Sequence, residues 1–153
     1  MSNKRVYLAG PITGESFSKV FDWRNRAKFF LESMNSSGKI ECVSPLRGKL
    51  DLLNKETSIK HTYDHAMGTS KAIMKRDHHD VSTCDAVLVN FTGAKNISIG
   101  TVMEIAWAYE LRKPVIVVTD NEIHRHPMID EAVMYTVPTI EEAAWLITVL
   151  FNV

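Results

Sequence analysis

Ala86-Val87-Leu88-Val89-Asn90-Phe91, then Ile97-Ser98-Ile99-Gly100-Thr101-Val102-Met103-Glu104-Ile105-Ala106-Trp107-Ala108-Tyr109, then Pro114-Val115-Ile116-Val117-Val118: the fold is decided by how these three runs are read. The outer two are short, aliphatic and β-branched, bounded by breakers or charges, as strands covered on both faces are. The middle run reads as a helix from Thr101 to Leu111, with Gly100 and Thr101 at its start. Strand, helix, strand with this degree of apolarity is the crossover unit of a parallel sheet.

The pattern repeats outward. Val6-Tyr7-Leu8-Ala9 and Ile40-Glu41-Cys42-Val43 read as further buried strands, and Tyr135-Thr136-Val137, ended by Pro138, as a weaker fifth. Helical spacing of apolar residues covers Phe17 to Met34, stopping near Gly38, and also Ser70 to Val81 and Ile140 to Phe151. Thr139 and Glu142 form a capping box ahead of the last of these. The expected fold class is α/β: a parallel sheet between helical layers, joined by right-handed crossovers, with ligands at the carboxyl ends of the strands. Leu46 to Gly68 has no clear period, and a segment of that length reads as a functional loop, a lid or a partner-contacting arm. No repeat or linker divides residues 1–153, so one domain is expected.

Composition narrows the function. Eighteen basic residues balance 18 acidic ones, so the formal net charge is zero, which argues against nucleic-acid polymers as the main partner. A small anionic ligand needs only one or two local donors and stays compatible. The apolar stretch from Ala143 to Val153 is about half of a membrane span. Met1-Ser2-Asn3-Lys4-Arg5 leads straight into a strand without a signal-peptide core, so a cytoplasmic protein is expected. Cys42 and Cys84 lie in or beside apolar runs and read as buried free thiols. No metal is expected: His78 and His79 are adjacent and diverge on a helix, while His61 and His65 lack a third ligand. No cofactor is expected either.

Glu104 is the first candidate for chemistry, because it is the only charged residue from Ile97 through Tyr109. Such a carboxylate is either presented into a cleft or used to satisfy backbone donors at a helix start. With the helix beginning at Gly100 and Thr101, Glu104 falls in the first turn, where the dipole favours its ionised form. An ionised, poorly solvated carboxylate suits a nucleophile toward electrophilic carbon. Asp77 and Asp85 stand eight residues apart. Asp85 directly precedes a strand and reads as a turn residue, and Asp77 taken alone reads as part of a solvated helix face. Tyr7 reads as a core aromatic. After it, Gly10-Pro11-Ile12-Thr13-Gly14 allows close backbone approach to a ligand, without the spacing of a dinucleotide fingerprint or a P-loop. Phe17 and Trp23 either stack on a ligand or belong to an amphipathic helix face.

Taken together, Tyr7-Leu8-Ala9-Gly10-Pro11, Arg76-Asp77 followed by Asp85-Ala86-Val87-Leu88, and Ser98-x-Gly100-Thr101-x-x-Glu104 resemble the nucleoside 2-deoxyribosyltransferase family, over nearly the whole chain. The resemblance implies a doubly wound, flavodoxin-like three-layer sandwich with about five parallel strands. It implies that Glu104 attacks the anomeric carbon of a 2′-deoxynucleoside, forming a glycosyl ester that a second base or water resolves with retention. Tyr7 matches the tyrosine that orients the nucleophile, and Asp77 the acid that binds the base and protonates it. The implied partners are a deoxynucleoside or its 5′-monophosphate, a free nucleobase, and further copies of the chain. His126-Pro127-Met128 falls where a family segment enters the neighbouring subunit's site, with His126 in place of the usual asparagine. Gly10, Pro11, Ser98, Gly100, Thr101, His126 and Met128 are thereby the expected substrate-binding residues.

Ser98 departs from the transferase pattern, in which an aspartate six residues before the nucleophile holds the sugar's 5′-hydroxyl. In the related 2′-deoxynucleoside 5′-monophosphate N-glycosidases a serine there faces phosphate, and losing a carboxylate removes repulsion against an anion. Three functions follow: base exchange between deoxynucleosides, hydrolysis of deoxynucleoside monophosphates, and non-catalytic nucleotide binding.

Overall fold

The computed structural model describes residues 3–34 and 39–151. Its centre is a five-stranded, all-parallel sheet in the order β2-β1-β3-β4-β5. The strands are β1 (Lys4–Ala9), β2 (Ile40–Val43), β3 (Ala86–Asn90), β4 (Val115–Val118) and β5 (Tyr135–Val137). Register follows from pairings such as Tyr7 with Val43 and Val87, and Val89 with Val117. This is the flavodoxin-like order, whose direction reverses between β1 and β3.

Alternation along each strand sorts the side chains into two cores. Val6, Leu8, Leu88, Ile116 and Val118 pack against α1 (Phe17–Ser33) and α6 (Ile140–Phe151), through Ala27, Leu31, Ala143 and Ile147. Tyr7, Ala9, Val87, Val89, Val115 and Val117 face the opposite layer, where α3 (Ser70–Thr83) and α4 (Ile99–Glu110) contribute Val81, Ile105 and Ala108. The three-layer α/β sandwich therefore has the expected class, and the phase of β1 alone sends Tyr7 toward α4.

Several boundaries differ from expectation. α4 begins at Ile99 with Ser98 as its N-cap, so Glu104 lies in the second turn rather than the first. The segment from Leu46 to Gly68 is not a free arm. It holds α2 (Leu50–Leu53) and buries Leu46, Leu53 and Ile59 against Val20 of α1. A helix of one turn is too short to show a period, which is why the segment looked aperiodic. An unexpected short helix, α5 (Pro127–Ala132), follows β4, with His126 at its N-cap and proline in its first turn. The capping interaction before α6 holds in one direction: the Glu142 amide donates to Thr139 Oγ1 at 3.2 Å. The helix stop near Gly38 falls outside the described residues, as does the end of the apolar Ala143–Val153 stretch. Among the described residues no helix is long and apolar enough to cross a membrane. Cys84 is buried and Cys42 half-buried, both as free thiols.

Leu88 sits in the central strand with no exposed surface, whereas Phe29 on α1 is 66% exposed. Leu88→Ala is expected to destabilise the fold by about 2–5 kcal/mol and Phe29→Ala by less than about 1 kcal/mol, read from chemical denaturation midpoints.

Candidate active site

A cleft of about 760 Å3 opens outside the carboxyl ends of β1 and β3, the switch point of the sheet. Gly10, Pro11, Ser98, Gly100 and Thr101 line it, as do Asp77 and Glu104. Gly10 is dictated by packing: a Cβ there would lie 2.9 Å from the Asn90 carbonyl and 3.0 Å from the Trp23 ring. At Gly100 a Cβ would meet nothing within 4 Å, so glycine there leaves space in the cleft rather than relieving a clash.

At the floor, the Tyr7 hydroxyl donates to Glu104 Oε1 at 2.7 Å. Tyr7 is fully buried and Glu104 is 7% exposed. Burial, and then the nearby Glu104 charge, hold the Tyr7 phenol well above its ordinary range, so it stays a donor. Burial also pushes the Glu104 carboxyl up to about 8, with the Asp77 charge adding to the rise. The hydrogen bond from Tyr7 and the Arg24 guanidinium oppose the rise without reversing it. The first-turn dipole stabilisation expected for Glu104 is thus outweighed: the carboxyl is one turn deeper in α4 and has lost its water.

Asp77, on α3, lines the same cleft and is not the solvated residue its isolated reading suggests. Burial raises its carboxyl to about 6, against the lowering influence of Lys49. Its Oδ1 is buried without a hydrogen-bond partner. Asp85 occupies the turn before β3 and accepts the Arg5 amide at 2.8 Å, a structural position. Ser98 caps α4, its hydroxyl 2.9 Å from Thr101 Oγ1. His126 instead accepts the Met128 amide at 3.2 Å, and neither residue lines this chain's cleft. Phe17 stacks on Phe21, and Trp23 lines a second cleft of about 600 Å3 toward α6, so neither reaches Glu104. Among the described residues no group of three His, Cys, Asp or Glu side chains is placed to hold a metal.

Sequence reasoning missed four supporting residues. Arg24 is 3% exposed and donates to the carbonyls of Leu8, Gly10 and Val20 at 3.2, 3.2 and 2.6 Å. It shares a helical face with the buried residues Val20, Ala27 and Leu31, and that phase was the available signal. Asp80, buried on α3, accepts two hydrogen bonds from Arg47 at 2.5 and 2.6 Å. Lys49 is 9% exposed and lines the cleft. His124 is buried, stacks on Phe91 with ring centroids 3.6 Å apart, and accepts the Ser98 amide at Nε2 at 2.9 Å. Burial lowers the His124 pKa, so the ring stays neutral and keeps this acceptor.

Comparison with known proteins follows the same lines. The family model described as nucleoside 2-deoxyribosyltransferase matches residues 6–135. A search of curated proteins by sequence finds no match. Among solved structures, the 2-deoxyribosyltransferase of Bacillus psychrosaccharolyticus is 17% identical with a TM-score of 0.65, over 92% of this chain and 90% of that one. A CMP N-glycosidase of Clostridium botulinum is 17% identical with a TM-score of 0.55, over 96% and 99%. The 2-deoxyribosyltransferase of Leishmania mexicana is 14% identical with a TM-score of 0.55, over 98% and 99%. At these identities the likeness establishes the fold.

The raised Glu104 pKa makes stability depend on pH. The folded protein keeps a proton, up to about pH 8, that the unfolded chain releases near the ordinary 4.5. The stabilisation is therefore full below about 4.5 and is lost as the pH climbs to about 8. Glu104→Gln, which still accepts from Tyr7, is expected to raise the melting temperature over wild type at pH 8 and to change it little at pH 5. The gain at pH 8 corresponds to about 1–3 kcal/mol. His124→Ala is expected to destabilise by about 1–2 kcal/mol, by freeing the Ser98 amide and opening the Phe91 stack, as calorimetry would show.

Proposed function

The chain belongs to the nucleoside 2-deoxyribosyltransferase family, and on that premise we propose that it cleaves the N-glycosidic bond of a 2′-deoxynucleoside and passes the sugar to a second nucleobase or to water. The observation that carries this reading is the 2.7 Å hydrogen bond from Tyr7 to a buried Glu104, with Asp77 in the same cleft. A binding module has no use for a desolvated carboxylate oriented by a phenol.

The chemistry follows from the placement. Tyr7 occupies Oε1, leaving Oε2 of Glu104 as the attacking atom. Oε2 bonds to the anomeric carbon as the bond to the base breaks, and the electron pair leaves with the base nitrogen. Asp77 is the proton donor to the departing base, its unpartnered Oδ1 being the atom that meets the ligand. The second base or water then attacks the anomeric carbon from the vacated face, giving its proton to the Asp77 carboxylate. The ester bond breaks, Glu104 recovers its carboxylate, and configuration is retained. Exclusion of water strengthens the attraction between the carboxylate and the oxocarbenium-like transition state.

A second reading, hydrolysis of a deoxynucleoside 5′-monophosphate, is favoured by Ser98. It puts a hydroxyl rather than a carboxylate at the start of α4, beside first-turn amides that lack helical acceptors. The exposed positions of His126 and Met128, the latter 77% exposed, support a homo-oligomer in which they reach a neighbouring copy's cleft.

Thymidine supplied with hypoxanthine is expected to yield deoxyinosine, followed by chromatography. Base release from a deoxynucleoside monophosphate, with none from thymidine, would replace transfer by the second reading. Turnover of neither would refute both. Glu104→Ala is expected to keep less than about a hundredth of the wild-type rate. Catalysis needs one proton shared between the two carboxyls, so kcat/KM is expected to be bell-shaped, with limbs near the raised values of about 6 and about 8. In Asp77→Asn the upper limb should vanish, leaving a lower rate that rises as Glu104 ionises, at a pH below about 8 because the Asp77 charge that helps hold Glu104 up is gone.

A further inference from the structure

Lys49 is a buried cation that nothing so far has used. It is 9% exposed and lines the cleft, and its ammonium has no hydrogen bond or ion pair among the described residues. Asp77, on the same side of the cleft, is the charge that acts on it most strongly, yet the two do not come within ion-pairing distance. Each is left with unmet capacity: three N–H donors on the ammonium and a partnerless Oδ1 on the carboxyl. A buried charge without a partner is costly, so such a group is expected to meet an acceptor when the site is filled.

The wall carrying Lys49 is held in place. Arg47 donates twice to Asp80, one turn along α3 from Asp77, and Arg76 donates to the Arg47 carbonyl. The turn from Arg47 to Lys49 is thereby clamped to the helix that presents Asp77. This wall follows β2, whereas Ser98 to Thr101 follow β3, and β1 runs between those two strands. Lys49 therefore serves the part of the ligand beside Asp77, not the part at the start of α4. Leu53, Ile59, Tyr63 and Ile73 line the cleft there too, a largely apolar surface suited to a flat ring.

We propose that Lys49 and Asp77 together select a nucleobase with a carbonyl oxygen beside a ring N–H, as in 6-oxopurines and in uracil or thymine. The ammonium donates to the oxo group, and one oxygen of the Asp77 carboxyl accepts from the ring N–H while the other carries the proton that goes to the departing base. Adenine presents the opposite edge, an amino donor beside a ring acceptor, and would leave Lys49 facing a donor. Lys49 also stabilises departure, because the charge on an oxo-bearing leaving group delocalises onto the oxygen it holds.

The inference rests on reading this cleft as the nucleoside site, and free bases test it without chemistry. Hypoxanthine, uracil and adenine are titrated into wild type and Lys49→Met by calorimetry, with circular dichroism confirming the fold of the variant. Wild type is expected to bind the better oxo base at least about tenfold more tightly than adenine, and Lys49→Met to shrink that gap to within about threefold. Adenine bound as well as either oxo base, no binding of any base, or a gap that survives Lys49→Met would each overturn the proposal. Selective binding of an oxo base by a wild type that releases no deoxyribosyl product would instead uphold base selection and remove the catalytic reading.

Discussion

Glu104 has given up almost all of its water, and one hydrogen bond, from Tyr7, replaces it. Much else in the molecule serves that arrangement. An isolated carboxyl in such a place would turn toward any available backbone donor. The phenol prevents this by fixing one oxygen, and its own burial keeps it protonated well beyond the ordinary tyrosine range. Tyr7 is in turn held by the sheet: it faces α4 because β1 alternates, and β1 lies between β2 and β3 with its register paired on both sides. A one-residue slip of β1 would send Tyr7 into the α1–α6 core and leave Glu104 without its partner.

Arg24 joins the two layers. It lies on the α1 side, yet its guanidinium takes carbonyls from Leu8 and Gly10 at the end of β1, where the chain leaves the sheet. Those bonds shape the turn that opens the cleft. Its charge also acts on Glu104 through the sheet, lowering a pKa that burial raises. One buried cation therefore serves both backbone geometry and the electrostatics of Glu104. Replacing it with an apolar residue of similar size would leave several carbonyls unsatisfied.

The sheet was legible because its strands are covered on both faces and so read as unbroken aliphatic runs, Val115 to Val118 most plainly. Glu104 stood out by residue type, as the only charge in its run. Tyr7 and Asp77 taken alone read as a core aromatic and a solvated helix face, and drew notice only through the family resemblance. What escaped was set by partners distant in sequence. Nothing near Lys49 says that Arg47 will find Asp80 thirty-three residues away and clamp the turn. Nothing around His124 announces a stack on Phe91 or a bond to Ser98. The start of α4 was misplaced because Ile99 and Gly100 do not look helical in themselves. The Ser98 hydroxyl, accepting from Thr101, begins the helix there. That shift of two residues moved Glu104 from the first turn to the second and changed its electrostatics from dipole-assisted to burial-dominated.

That change bears on how the cleft handles its proton. With the carboxyls at about 8 for Glu104 and about 6 for Asp77, the empty cleft near neutrality keeps its proton on Glu104 and its charge on Asp77. The proposed reaction needs the reverse. A ligand that brings an acceptor to Lys49 and a ring nitrogen to Asp77 alters the surroundings of the acid, while the sugar displaces water from the nucleophile. The proton can then pass toward the base that is about to leave. On the proposed reading the carboxyl pair holds different charges in the empty and the filled cleft, and the base edge assigned to Lys49 is what connects them. Selection of the base and ionisation of Glu104 are on this account one event, because both depend on what lies against Asp77.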